Sequence, residues 1–254
     1  MAMLEQYRNK YQTVRFERRE GILQMTLHTS GGPLQWGTLP HNELGEAFGD
    51  VGSDPENRVV IMTGTGDVFS GPVATKDDLP RWPPNQWIEE TLAHGMRLQM
   101  NLLDIPVPMI GVINGPAWRH SELPLLCDIV LAAEDAAFQD SGHFPRGLVP
   151  GDGMHIVYPM LLGANRGRYF LLTGQTLTAR QAQEFGLVAE VLPREKLLPR
   201  AWELARQLAR QPRAVLRCTR ALLTQPIKRQ MVDMLGLGLA MEGLPVAQEW
   251  GERR

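Results

Sequence analysis

Apolar positions recur along the chain with two periods, and the way those periods alternate lays out the elements. Residues 14–27 (VRFERREGILQMTL) break at Glu20-Gly21 and predict two short strands joined as a hairpin. Unbroken apolar runs at 59–63 (VVIMT) and 107–113 (VPMIGVI), bounded by turn residues, predict buried strands. Residues 123–133 predict a short helix running into another strand, and 188–192 (VAEVL) a further short one. Helical spacing covers 42–50, 89–103, 154–162, 165–172, 179–185 and 197–208. It resumes at 214–223 and, rich in Met and Leu, at 227–248. Strands alternating with helices over the first two thirds indicate an α/β layer fold with parallel pairing. The helical last quarter has no strand to pair with, so its apolar faces must cover the core or another subunit. Residues 75–87 (TKDDLPRWPPNQW), dense in Pro, Asp and Trp, predict a loosely ordered lid.

Composition narrows the functional classes. The 254 residues suffice for one large domain or a domain with a small appendage. A formal charge of −2 and the absence of a basic run speak against nucleic acid and against a membrane surface. No apolar stretch reaches a membrane-spanning length, and the N-terminus shows no signal-peptide pattern, so a cytoplasmic protein is expected. Cys127 and Cys218 lie far apart without metal-ligand spacing. Dinucleotide, P-loop and nucleophile-elbow motifs are absent, as are H-E-x-x-H and H-x-x-x-H. No cofactor and no metal are therefore expected.

Candidate chemistry concentrates in residues 138–168, FQDSGHFPRGLVPGDGMHIVYPMLLGANRGR. Two histidines (His143, His155) and Gln139, Asp140 and Asp152 sit among turn-forming residues, in a bent loop of the kind that carries catalytic groups. His143 and Asp152, at the two ends of this loop, can meet as a proton-handling pair. Asp152 alternatively serves as the N-cap of the helix that follows.

The segment 110–133, IGVINGPAWRHSELPLLCDIVLAA, resembles the crotonase (enoyl-CoA hydratase/isomerase) superfamily in its strand, Asn-Gly turn, Glu-Leu and Cys-Asp. The resemblance continues through 147–151 (GLVPG), 171–192 (LLTGQTLTARQAQEFGLVAEVL) and the helical tail from LARQLARQP, and so covers nearly the whole chain. It implies a ββα superhelix over 1–196 and a C-terminal helical region, 197–254, that covers the core and packs in homotrimers or in hexamers made of two trimers.

Departures from the family pattern set the expected function. The turn after Asn-Gly, glycine-rich in the CoA-thioester enzymes, reads Pro116-Ala-Trp-Arg-His-Ser121. The glutamate that hydratases carry four residues before the Gly of the G-x-x-P-G turn is His143, and the family's later Gly-Ala-Gly-Gly is Gly151-Asp-Gly-Met154. These substitutions resemble those of the β-diketone hydrolases of the 6-oxocamphor hydrolase type, as do Trp36, 143–153, 165–175 and 236–244 (GLGLAMEGL). That resemblance implies C–C hydrolysis of a cyclic or bicyclic 1,3-diketone to a keto acid, without CoA. Carried over by position, His143 and Asp152 activate water, Trp36 and His120 donate to carbonyl and enolate, and Glu242 is a pocket carboxylate.

The residue types suit a retro-Claisen cleavage on their own terms. A neutral imidazole near its ordinary pKa is a suitable base for water, and a carboxylate on its other nitrogen fixes the tautomer. The departing carbanion is delocalised into an enolate whose oxygen needs preorganised donors, each commonly worth roughly 3–4 kcal/mol. Trp36 can equally be an apolar wall, and Glu242 can be solvated or paired across subunits. His155, three residues after Asp152, can compete for its carboxylate. Hydration or thioester hydrolysis of an acyl-CoA and a non-catalytic family member stand as the alternatives.

Overall fold

The structure is a computed structural model that describes residues 2–73 and 83–252. It opens with one helical turn, α1 (Leu4–Tyr7), and the hairpin of β1 (Val14–Arg19) and β2 (Ile22–Leu27). Glu20 and Gly21 both have positive φ, the tight-turn geometry that suits the twist of a hairpin. A short β3 (Leu34–Gln35) leads into α2 (Thr38–Ser53), and then come β4 (Val59–Thr63) and β5 (Ser70–Gly71). The expected lid falls partly on residues 74–82, which lie outside the described residues. From residue 84 the chain is helical through α3 (Pro84–Trp87), a π-helical stretch over 88–92, and α4 (Ala93–Asp104).

Next come β6 (Met109–Ile113), α5 (Glu122–Leu125), β7 (Ile129–Ala133) and β8 (Ala137–Phe138). A 3-10 turn, Phe144–Arg146, precedes the adjoining helices α6 (Met154–Leu162) and α7 (Ala164–Thr173). They are followed by β9 (Leu177–Thr178), α8 (Ala179–Glu184) and β10 (Glu190–Leu192). Two helices close the chain, α9 (Arg194–Ala209) and α10 (Arg213–Glu252). No helix among the described residues is long and apolar enough to cross a membrane.

The main sheet runs β1-β2-β4-β6-β7-β10, antiparallel only at the hairpin and parallel from β2 onward. Every residue of β4 and β6 is buried, as continuous apolar strands covered on both faces must be. A second, smaller layer pairs β3 with β5 and β8 with β9. Single bridges join Ser70 to Ala117 and Ala117 to Phe138, so these short pieces line up side by side. This α/β arrangement of a mixed central sheet, short crossing strands and a C-terminal helix is the expected one. The boundary drawn at residue 196 falls inside α9, which lies against β2, β4, β6 and β7.

The tail departs from expectation. Pro226 predicts a break between two helices, yet α10 is continuous from 213 to 252. Proline removes one backbone hydrogen bond, and anchors on both sides of it hold the helix on its course. Arg220, fully buried, donates through Nε to the carbonyl of Ile105 at 2.6 Å and pairs with Asp128. Beyond the proline, Met231, Leu235 and Leu239 pack into the core.

Candidate active site

Three side chains of the site follow extended pieces of the small layer. Trp36 follows β3 directly, and its backbone N–H donates to the carbonyl of Gly71 at 2.7 Å. His120 lies three residues beyond Ala117, and His143 five beyond Phe138. The bridges through Ala117 therefore bring the three onto one wall. His120 has φ of 50°, a left-handed conformation uncommon for a non-glycine residue and several-fold enriched for histidine, asparagine and aspartate.

The fourth and fifth members come from the loop at 150–153 and from α10. Gly151 is pressed against that helix: a Cβ there would lie 2.1 Å from the carbonyl oxygen of Gly238 and 3.0 Å from Cβ of Glu242. Only glycine permits this approach, and it puts Asp152 and Glu242 in the same site. His155 secures the loop, its Nδ1 2.9 Å from the carbonyl of Pro150 and its Nε2 3.4 Å from that of Met234. Both of its ring nitrogens thus face backbone carbonyls and not the carboxylate of Asp152. Nor is Asp152 the cap of α6, since that position is Gly153.

All five predicted side chains meet around a cavity of about 390 Å³, a size suited to a small organic ligand. His41, Trp87, Arg119, Asp140 and Arg146 also line it. His143 is the hub. Its Nδ1 lies 2.6 Å from Oδ1 of Asp140, while its Nε2 lies 3.4 Å from Oδ2 of Asp152 and 3.5 Å from Oε1 of Glu242. The carboxylate that fixes the imidazole through its second nitrogen is thus Asp140, where the sequence reading had put only Asp152 beside His143. Trp36 lies against His120 with ring centroids 3.9 Å apart and planes tilted by 31°, and His41 stands edge-on to both.

Behind His120 lies a residue that sequence reasoning missed. Glu122 is fully buried, and its Oε1 lies 2.9 Å from Nδ1 of His120, which is also 3.3 Å from Oδ2 of Asp152. Gln99 donates from Nε2 to Oε1 of Glu122 and to the backbone carbonyl of Asp152, each at 2.8 Å. Ligand atoms of His120, Glu122 and Asp152 lie within 4.8 Å of one another. The facing oxygen of Glu122 is already shared by the Gln99 amide and by Nδ1 of His120, so the trio is joined by hydrogen bonds.

Burial and charge divide the protonation states. Burial alone would depress His143, but the carboxylates of Asp140, Asp152 and Glu242 outweigh it and hold the imidazole well above 6.5. The expectation of a base near the ordinary histidine pKa is corrected accordingly. His120 and His41, dominated by burial, are each lowered to about 3 and are neutral. Burial would also raise Asp152, yet the charge of His143 holds it below the usual carboxylate range. Burial raises Glu242 to about 7, and burial with the charge of Asp152 lifts Glu122 well above 4.5.

The model of the enoyl-CoA hydratase/isomerase family matches residues 17–249. Among solved structures, a β-diketone hydrolase from the cyanobacterium Anabaena sp. PCC 7120, bound to (S)-3-oxocyclohexyl acetic acid, is 46% identical with a TM-score of 0.92. That match covers 96% of this chain and 97% of the other. An enoyl-CoA hydratase from Bacillus halodurans, 18% identical with a TM-score of 0.81, covers 95% of this chain and 100% of its own and shares the fold. The 2,3-dehydroadipyl-CoA hydratase of Escherichia coli K12 is 28% identical over 231 residues, 89% of this chain and 85% of the relative. The chain belongs to the enoyl-CoA hydratase/isomerase family.

Proposed function

We propose that this protein hydrolyses the C–C bond between the carbonyls of a cyclic or bicyclic β-diketone, giving a keto acid. The observation that carries the reading is His143, with a carboxylate on Nδ1 and two more beside Nε2, on a cavity wall it shares with His120. Water held at Nε2 loses a proton to the imidazole and attacks one carbonyl carbon, forming a tetrahedral alkoxide. Collapse of the alkoxide breaks the bond to the carbon between the carbonyls, and the electron pair passes into the second carbonyl as an enolate. The proton on His143 returns to the enolate carbon, so one water is consumed and none of the protein's groups is changed. Asp140 holds the ring and favours the imidazolium formed in the first step. His120 offers an N–H to the enolate oxygen, and Trp36 braces His120 by lying against it.

The 46% identity to a β-diketone hydrolase supports this reading. A keto acid of the kind bound there is what water yields from a bicyclic octanedione whose two carbonyls flank one bridgehead carbon. The hydratase names among the relatives favour acyl-CoA hydration as a second reading. Liquid chromatography with mass detection separates the two when a bicyclic diketone and crotonyl-CoA are offered in parallel. A diketone product heavier by one water, with the thioester untouched, supports C–C hydrolysis. Turnover of the thioester alone overturns it.

A further inference from the structure

The hydrogen bonds behind His120 pose a question about where one proton sits. The backbone carbonyl of Asp152 can only accept, so the Gln99 amide must turn its NH₂ toward it, and the same NH₂ then donates to Oε1 of Glu122. Nδ1 of His120 meets that same Oε1 at 2.9 Å. Two patterns satisfy these contacts. In one, Glu122 is a carboxylate accepting from Nδ1–H. In the other, it is a carboxylic acid donating its O–H to a bare Nδ1.

We propose that Glu122 is a positioning residue which, as a neutral carboxylic acid donating to Nδ1, holds His120 in the tautomer protonated at Nε2. Two observations favour this pattern. Glu122 and Asp152 approach the same nitrogen, at 2.9 and 3.3 Å, and two ionised carboxylates sharing one neutral imidazole repel at short range. Asp152 also faces His143, whose positive charge stabilises Asp152 as the ionised member of the pair.

The titratable groups around Glu122 come from three elements: His120 and His143 on their loops, Asp152 before α6, and Tyr158 on α6. Burial and the charge of Asp152 push Glu122 toward its acid form, and burial keeps His120 from taking the proton. Glu122 does not line the cavity and so acts only through His120. The consequence for catalysis rests on the proposed diketone cleavage. With the proton on Nε2, the imidazole can donate to an enolate oxygen; with it on Nδ1, a lone pair would meet that oxygen instead.

The deciding spectra need no substrate. In the full chain labelled with 15N-histidine, the His120 signals, identified by their loss in His120→Asn, report which nitrogen is protonated at neutral pH. Infrared difference spectra between the wild type and Glu122→Gln report whether position 122 carries a protonated carboxyl. We expect an Nε2–H tautomer and a protonated carboxyl band that the substitution removes. Glu122→Gln keeps an N–H for Nδ1 and so keeps the tautomer. Glu122→Ala releases the ring to pair Nδ1–H with Asp152, and kcat falls by about 10²-fold, as for loss of one oxyanion donor, with KM little changed. An Nδ1–H tautomer in the wild type, or no protonated carboxyl, overturns the proposal whichever substrate the protein turns over. Failure of diketone hydrolysis with the expected spectra overturns only the functional reading.

Discussion

His143 presents its two ring nitrogens to different carboxylates: Nδ1 lies 2.6 Å from Asp140, and Nε2 lies 3.4 Å from Asp152. The shorter contact is the one that orients the ring, and the longer is a looser contact beside the nitrogen that faces the cavity. Asp140 and Asp152 therefore do different work, and their variants should differ.

Asp140 is expected to set the pH at which the base becomes available. A general base acts only after losing its proton, and the surrounding carboxylates raise His143 well above 6.5. The acid limb of kcat/KM for diketone hydrolysis should thus lie above pH 6.5 in the wild type. Asp140→Asn removes one of the charges that raise it, so the limb should move to lower pH. Weaker control of the tautomer should also lower the plateau by roughly 10²–10⁴-fold. A limb that stays in place would show that Asp140 does not govern His143.

Asp152→Asn tests the Nε2 side. The carboxylate faces both His143 and His120, and the amide that replaces it keeps the shape but not the charge. A kcat loss on the order of 10²–10⁴-fold with an unchanged circular dichroism spectrum is expected. Unaltered turnover in this variant would sink the role assigned to the pair.

These two aspartates also show how far the chain could be read without coordinates. Asp152 was legible because the Gly-Asp-Gly after Pro150 marks a tight turn ahead of a helix. Asp140 was visible only as one acid among several. Its three-residue spacing from His143 was the available signal, but the φ and ψ values of 140–143 decide whether that spacing makes a contact. Glu122 carried no signal, because its role depends on Gln99 arriving from α4. The strands were legible because β4 and β6 are unbroken apolar runs. The continuity of α10 was not, since Pro226 marks a break locally and the anchors that override it, Arg220 on Ile105 and Met231 in the core, are tertiary.

Glu242 should leave its own mark on the pH profile. Burial lifts its carboxyl to about 7, and its Oε1 lies 3.5 Å from Nε2 of His143. Wild-type kcat should show an inflection near pH 7 that disappears in Glu242→Gln. The acid limb assigned to His143 should move down at the same time, because the ionised form of Glu242 is one of the charges that raise it. An inflection that survives the substitution would assign it to another group.

The apolar surface of α10 leads to the last expectation. Leu222 and Leu223 are 75% and 67% exposed, and Val232 and Leu244 are 66% and 61% exposed on the same helix. Scattered exposed leucines need no explanation, but four large aliphatics on one helix make the costly kind of surface that association removes from water. Met231, Leu235 and Leu239 of that helix are already in the core, so another copy of the chain is the natural cover for the exposed positions. We propose a homotrimer or a pair of trimers, and Leu222→Glu with Leu223→Lys should shift sedimentation toward monomer. The helix contributes Glu242 to the cavity, so turnover should fall with the assembly if packing between copies holds α10 in place. A double variant that sediments as the wild type does would show that this face stays open to solvent.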